Sequence, residues 1–142
     1  MSFVDASAIV AIINEEPGFE EIEKRLNDTK ARFYITSLVR FEAVMAISRM
    51  HLTAANGKID RTKVITAARE VVDDFIQALE AKEIAIDAAI GNRALDAAAE
   101  YGKVAGHPAA LNFGDCFSYA AAKVHRLPLI YKGNDFAETD LA

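Results

Sequence analysis

Two kinds of apolar pattern alternate along the chain. Short continuous runs, such as "SFV" and "FYI", are typical of strands buried in a sheet, whereas longer segments repeat apolar residues at helical spacing. Strands that alternate with helices predict an α/β domain whose parallel sheet is covered by helices on both faces. No repeat or linker interrupts the pattern, so residues 1–142 are predicted to form a single domain.

Four strands are predicted, and the chain offers a short fifth one. They are "SFVD" at 2–5, "RFYIT" at 32–36, "EIAI" at 83–86 and "LPLIY" at 127–131, with "TDLA" at 139–142 as the possible fifth. The central sheet is therefore expected to be mostly parallel, with four to five strands.

The helices between these strands carry clear start signals. Capping residues precede four of the predicted helices: Asp5 or Ser7, Thr36 or Ser37, Asp87, and Asn112. The helix capped by Asn112 is predicted to run from about Gly114 to Arg126. The strongest helical stripe lies in residues 60–80, after a predicted turn at "AANGKID", and it comprises Ile65, Ala68, Val72, Phe75, Ile76 and Leu79.

Composition describes an ordinary globular protein. Hydrophobic residues make up 52% of the chain and charged residues 26%. No apolar run approaches the ~18 residues of a membrane span, and the N-terminus lacks the positive leader of a signal peptide. The single cysteine, Cys116, has no disulfide partner and no metal-ligand companion. These features suit a reducing cytoplasm.

The net charge of −5 argues against a protein that holds nucleic acid by bulk electrostatics. It leaves room for one that handles phosphates through a bound cation. A modest basic cluster near the fourth strand comprises Lys123, His125, Arg126 and Lys132. These side chains could contact RNA phosphates, but a solvated surface is the favoured interpretation. The chain has neither a GxGxxG nor a P-loop motif, so dinucleotide and P-loop binding are not indicated.

Four carboxylates are predicted to gather at one edge of the sheet. Asp5 ends the first strand, Asp135 lies just past the fourth, and Asp115 opens the helix that leads into the fourth. Glu42 falls on the inward-leaning face of its helix, a poor place for a lone charge. Carboxylates brought together repel and raise each other's pKa unless a divalent cation joins them. Oxygen-only ligands favour Mg²⁺ or Mn²⁺ over zinc.

Each acid also has an ordinary structural interpretation. Asp5 suits a helix cap, Asp115 suits a charge at a helix N-terminus, and Asp135 suits a turn. Glu42 could reach solvent from the edge of its helix. Their common placement favours the joint interpretation, whereas Asp96 lies off its apolar stripe and is expected to be solvated.

Four blocks of the chain resemble the PIN-domain toxins of bacterial VapBC toxin–antitoxin systems. They are "FVDASAIVAIINEEPG", "YITSLVRFEAV", "GHPAALNFGDCFSYAAAK" and "LIYKGNDFAETDLA", and the last two are the most specific. The resemblance covers nearly the whole chain and implies a three-layer α/β/α sandwich. It also implies a Mg²⁺-dependent endoribonuclease that is silenced by a cognate VapB-type antitoxin, whose tail lies in the active-site groove.

The resemblance further implies a homodimer. The small-residue surface of Ala120, Ala121 and Ala122 and the wide apolar stripe of residues 60–80 are consistent with it, but the sequence does not show which helix makes the interface. No membrane association is expected.

The family's acidic set carries over to this sequence position by position. Its members are Asp5, Glu42, Asp115 and Asp135, with Ser7 as a supporting hydroxyl. The implied mechanism has one or two Mg²⁺ ions bridged by Asp5, Asp115 and Asp135, while Glu42 orients water or acts as a base. In-line attack on an RNA phosphodiester would leave 5′-phosphate and 3′-hydroxyl ends without help from histidine.

Two other classes of function remain open. The carboxylates could belong to a non-catalytic acidic module that only holds a structural ion. A receiver or phosphatase domain also places an aspartate after the first strand. It is disfavoured because Ser7 stands where a phosphatase needs a second aspartate, and because Asp87, after the third strand, looks like a helix cap.

Overall fold

The computed structural model describes residues 1–55 and 57–142. Its strands and helices alternate as the apolar pattern predicts, so the α/β class is confirmed. In chain order the elements are β1 (Ser2–Val4), α1 (Ala6–Ile13), α2 (Phe19–Asp28), β2 (Phe33–Ile35), α3 (Ser37–Ala54), α4 (Arg61–Leu79), β3 (Lys82–Glu83), α5 (Ala88–Tyr101), α6 (Phe113–Val124) and β4 (Leu129–Ile130).

The sheet has four parallel strands in the order β3-β2-β1-β4. In the centre, Phe3 lies opposite Tyr34 on one side and Leu129 on the other. The chain builds outward from β1 to β3 and then returns to the far side of β1 for β4. Right-handed crossovers in these two directions cover opposite faces of the sheet, which gives the expected three-layer α/β/α arrangement.

The core surrounds β1, whose Phe3 and Val4 have no exposed surface. Helix α6 packs directly on this strand, and its Ala120, Ala121 and Ala122 are also fully buried. The small side chains let the helix approach the sheet closely. The prediction that these alanines form a dimer surface is therefore wrong.

The two ends of the predicted sheet differ from expectation. The third strand is Lys82–Glu83 rather than 83–86, because only one further backbone bond, from the Ile84 N–H to the Ile35 carbonyl at 2.7 Å, continues the pairing. The predicted fifth strand at 139–142 is wrong, since that segment forms turns. Its Asp140 accepts hydrogen bonds from Tyr119 and Lys123, each at 2.6 Å, which anchor the tail to α6.

Helix boundaries follow the capping signals. Asp5, Thr36, Asp87 and Asn112 each accept a hydrogen bond from a backbone N–H in the first turn of α1, α3, α5 and α6 respectively. Helix α6 begins and ends slightly earlier than expected.

The stripe on α4 is narrower than the sequence indicates. Ala68 and Val72 are buried, whereas Ile65 is 38% exposed. The predicted turn before α4 includes residue 56, which lies outside the described residues. No helix in the described ranges combines the length and apolarity needed to cross a membrane.

Candidate active site

A cleft of about 540 Å³ opens at the carboxyl edge of the sheet, where the strand order reverses beside β1. This switch point is where open α/β sheets bind their ligands. All four predicted acids line the cleft: Asp5, Glu42, Asp115 and Asp135.

Asp5 is held at the end of β1 by its neighbours on both sides. Its backbone N–H donates to the Ile130 carbonyl at 2.9 Å, and its Oδ2 accepts the Ser7 N–H at 3.0 Å as the cap of α1. The residue is only 4% exposed. Within residues 1–55 and 57–142 the hydrogen bonds engage only Oδ2, so capping leaves Oδ1 for a ligand in the cleft.

Ser7 joins α1 to the segment that follows β4. Its Oγ accepts the Lys132 N–H at 3.0 Å, while its own N–H is bonded to Asp5. The hydroxyl therefore has a supporting role, fixing the distance between the first strand end and the fourth.

Asp115 is fixed by a capping box at the start of α6. The Asp115 N–H donates to Asn112 Oδ1 at 2.9 Å, and Asp115 Oδ2 accepts the Asn112 N–H at 3.1 Å. Burial raises the pKa of Asp115 to about 7. The Asn112 hydrogen bond opposes this rise, and the negative charges of Asp5 and Asp135 add to it.

Glu42 reaches the same place from α3, where its carboxyl group lies against the backbone of Gly114. A Cβ built on Gly114 would overlap the carboxyl atoms of Glu42, so any larger residue there would force the Glu42 side chain to move. Burial raises the pKa of Glu42 to about 7, with further increases from Asp5 and Asp115 and a partial offset from Arg49. Glu42 and Asp115 therefore both lie within the electrostatic influence of Asp5.

Asp135 stands apart from this group at the rim. It is exposed, and its charge contributes to the raised pKa of Asp115. The structure thus brings together three acids, Asp5, Glu42 and Asp115, with Asp135 beside them.

Comparison with known proteins identifies the family of the chain. A PIN domain family model matches residues 2–141. A VapC ribonuclease of Rhizobium meliloti (strain 1021) is 65% identical over 141 residues, covering 99% of both chains. Ribonuclease VapC of Mycolicibacterium smegmatis is 36% identical over 139 residues, covering 98% of this chain and 96% of that one. This chain belongs to the VapC family of PIN domains.

A solved structure supports the same fold for this VapC family member. A chain of a toxin–antitoxin complex from Klebsiella pneumoniae matches it with a TM-score of 0.66 at 19% identity, covering 99% of this chain and 94% of that one. The likeness in backbone at so low an identity confirms the PIN-like α/β/α fold.

Sequence analysis missed three side chains that this VapC cleft contains. Arg49, Lys132 and Phe41 all line it. Arg49 lies two helical turns beyond Glu42, so its position seven residues along α3 was the available signal. Lys132 belongs to the basic cluster that the sequence assigns to a solvated surface, but the structure places it in the cleft. Lys123 of the same cluster does not line the cleft and is paired with Asp140 at 2.6 Å.

The cleft of this VapC protein has the donor chemistry of a site for a hard divalent cation. Carboxylate oxygens converge on it, and burial together with neighbouring negative charge disfavours the ionised forms of Glu42 and Asp115, which a bound cation would stabilise. Among residues 1–55 and 57–142, however, no three His, Cys, Asp or Glu side chains form a group that could hold an ion. A Mg²⁺ ion here would therefore take one or two carboxylates and complete its shell with water and substrate oxygens, as it commonly does.

Proposed function

We propose that this protein is the toxin of a type II toxin–antitoxin system and acts as a Mg²⁺-dependent endoribonuclease. One observation carries the proposal: Asp5, Glu42 and Asp115 converge in a single cleft, where burial and neighbouring negative charge raise the pKa values of Glu42 and Asp115. Relatives over the full chain length bear the name VapC ribonuclease. The names of these relatives support RNA cleavage over a non-catalytic acidic module.

Asp5 and Asp115 would hold the cation directly, and Asp135 at the rim would act through water in its shell. In each of the two buried aspartates, Oδ2 accepts a backbone hydrogen bond at a helix start. This bond fixes the orientation of the carboxylate and leaves Oδ1 for the ion. When bound, Mg²⁺ lowers the pKa of water and neutralises charge that develops on the phosphoryl oxygens. Mn²⁺ suits the same ligands.

Glu42 is suited to be the general base. In the metal-free protein burial raises the pKa of Glu42 to about 7, so this carboxylate can accept a proton near neutral pH. The carboxylate takes a proton from water as the water oxygen attacks phosphorus. The bond from phosphorus to the 3′ oxygen breaks, and that oxygen takes a proton from solvent. The products carry 5′-phosphate and 3′-hydroxyl ends.

Two protein partners complete the proposal. The first is a cognate VapB-type antitoxin, in keeping with the toxin–antitoxin complex that shares the fold. The second is another copy of this chain. We assign the contact to the α5–α6 face, defined as the apolar surface formed by Leu95, Val104, Phe113 and Phe117 around a cavity of about 570 Å³.

An RNA cleavage assay tests the catalytic proposal. Wild-type protein should cut RNA with Mg²⁺ and stop with EDTA. Asp5→Ala should lower the rate by orders of magnitude, because it removes an ion ligand at a strand end. Its circular dichroism spectrum should stay unchanged. Asp96→Ala, on the exposed side of α5, is the matched control and should cut normally. Cleavage that survives EDTA, or persists in folded Asp5→Ala, contradicts the carboxylate–metal mechanism.

A further inference from the structure

The cleft continues past the acids in two directions. On one side it shares Val10, Glu16, Ala46 and Arg49 with a cavity of about 530 Å³ between α1 and α3. On the other side it shares Lys132 and Gly133 with a cavity of about 410 Å³ beside α2. The three depressions form one track with the acidic group in its middle section.

A cationic side chain stands at each junction of this track. Arg49 lies in the walls of the cleft and of the cavity between α1 and α3. Lys132 lies in the walls of the cleft and of the cavity beside α2. Neither is a member of the four ion pairs that residues 1–55 and 57–142 contain. Both charges therefore remain for a ligand.

Lys132 is positioned by two separate contacts. Its backbone N–H is bonded to Ser7 Oγ at 3.0 Å. Its side chain lies across Gly18, where the position of an added Cβ would be 3.5 Å from Lys132 Cε. These contacts place the Lys132 side chain beside Gly18, in the wall that the cleft shares with the cavity beside α2.

The charge balance of the cleft shows why these two residues matter. Five carboxylates line it against only two cationic side chains, Arg49 and Lys132. A polyanion entering this environment is repelled everywhere except at the ion and at the two junctions. Phe41, next to Glu42 and 60% exposed, offers a face on which an unpaired base can stack.

We infer that Arg49 and Lys132 hold the phosphates on either side of the scissile phosphate in a single-stranded RNA segment. The inference rests on the proposed nuclease function and adds the path of the substrate. The strand runs from the cavity between α1 and α3, over the acids, to the cavity beside α2. Both residues are positioning residues, because neither contacts the reacting atoms.

Steady-state kinetics on a long in-vitro-transcribed RNA give the first test. Arg49→Gln and Lys132→Gln should each raise KM about tenfold, the scale of one charge-assisted hydrogen bond. Lys132→Gln should change kcat little, whereas Arg49→Gln should also move the pH profile of kcat upward, since Arg49 lowers the pKa of Glu42. Lys132→Arg and Arg49→Lys should restore much of the loss. Lys24→Gln on α2 and Arg61→Gln on α4 are the matched controls, since both residues are exposed and line none of the three cavities. An unchanged KM in both Gln variants overturns the inference.

Neutral phosphates give the sharper test. The shortest RNA fragment that wild-type protein still cuts is prepared with a methylphosphonate on one side or the other of the cleavage site. Each methylphosphonate should raise the KM of the wild-type protein. The one at the phosphate that Lys132 holds should not raise the KM of Lys132→Gln any further. The one at the phosphate that Arg49 holds should likewise not raise the KM of Arg49→Gln any further. Additive effects in every combination overturn the inference while the nuclease function stands. Wild-type protein that cuts no RNA overturns both.

Discussion

At the residue scale, the position of Glu42 depends on the absence of a side chain at Gly114. The carboxyl group of Glu42 occupies the volume that a Cβ on Gly114 would fill. This contact between α3 and α6 brings the glutamate next to Asp115, and their mutual repulsion adds to the burial that raises the pKa of Glu42. A single missing methyl group thus helps to assemble the acidic site.

Gly114→Ala should therefore damage activity more than stability. The new methyl group displaces the Glu42 carboxyl group, and misplacing a base by about an ångström costs roughly ten- to hundredfold in rate. The measurement is kcat for RNA cleavage together with the melting temperature. Gly91→Ala on α5 is the matched control, because a Cβ there meets nothing within 4 Å. It should keep full activity and gain about 0.5–1 kcal/mol of stability, and equal activity of the two variants would contradict the proposed role of Gly114.

The raised carboxyl pKa values predict how the metal-free protein responds to pH. Glu42 and Asp115 have pKa values of about 7 in the folded chain, against 4.5 and 3.8 ordinarily. Between those limits the folded state binds more protons than the unfolded state, so the free energy of unfolding falls as pH rises.

In EDTA, the melting temperature should fall more steeply between about pH 5 and pH 8 for wild type than for Glu42→Gln. The amide cannot ionise, so its contribution does not change over that range. Thermal melts in matched buffers measure the difference, and saturating Mg²⁺ should reduce it. Parallel curves for the two proteins in EDTA would show that Glu42 does not titrate in this range.

At the element scale, the start of α6 has a structural task and, in the proposed mechanism, a second one in holding the cation. The capping box between Asn112 and Asp115 satisfies two backbone donors of the helix. The same bonds hold the Asp115 carboxylate over the cleft. The helix N-terminus and the cation site therefore share one side chain.

Asn112→Ala should lower stability by about 1 kcal/mol and also raise the Mg²⁺ concentration needed for half-maximal cleavage. The cap is lost, and Asp115 loses the side chain that accepts its backbone N–H. Asp87→Ala is the matched control, because Asp87 caps α5 by accepting the Ile90 N–H at 3.0 Å and does not line the cleft. Denaturant melts and Mg²⁺ titrations of both variants measure this. An equal Mg²⁺ requirement in the two variants would show that the Asn112 cap does not affect ion binding.

At the scale of the whole molecule, the α5–α6 face is an apolar surface without a cover. Val104 is 99% exposed, and Leu95 and Phe113 are each 71% exposed. Phe113 and Phe117 pack edge to face with ring centroids 5.3 Å apart. Each copy carries both a projecting Val104 and a cavity beside it, so a two-fold axis can place each projection in the partner's cavity.

Val104→Glu should therefore convert a dimer into a monomer of 15.4 kDa. A buried carboxylate would have to lose its hydration at the interface, whereas the exposed position leaves the monomer fold intact. Light scattering at micromolar concentration measures the mass. Val71→Glu on α4, 46% exposed, is the matched control and should remain dimeric. A monomeric wild type, or a dimeric Val104→Glu, would contradict the assignment.

The sequence by itself determined the elements and the edge at which the acids meet. Apolar runs and capping side chains such as Thr36 and Asp87 act within a few residues, so they can be seen without the fold. Because parallel strands end at a common edge, residues that follow β1 and β4 had to come close. Asp5, Asp115 and Asp135 could therefore be placed from their order along the chain.

Only the tertiary structure decided which surfaces and partners these residues meet. Periodicity shows that a helix has an apolar face but not what covers it, and so the alanines of α6 were mistaken for an exposed surface. The apolar ending "TDLA" resembles a strand, yet contacts of Asp140 with Tyr119 and Lys123 hold it as turns. The contact of Glu42 with Gly114 and the alignment of Arg49 with Lys132 join segments distant in sequence. Packing alone brings such segments together.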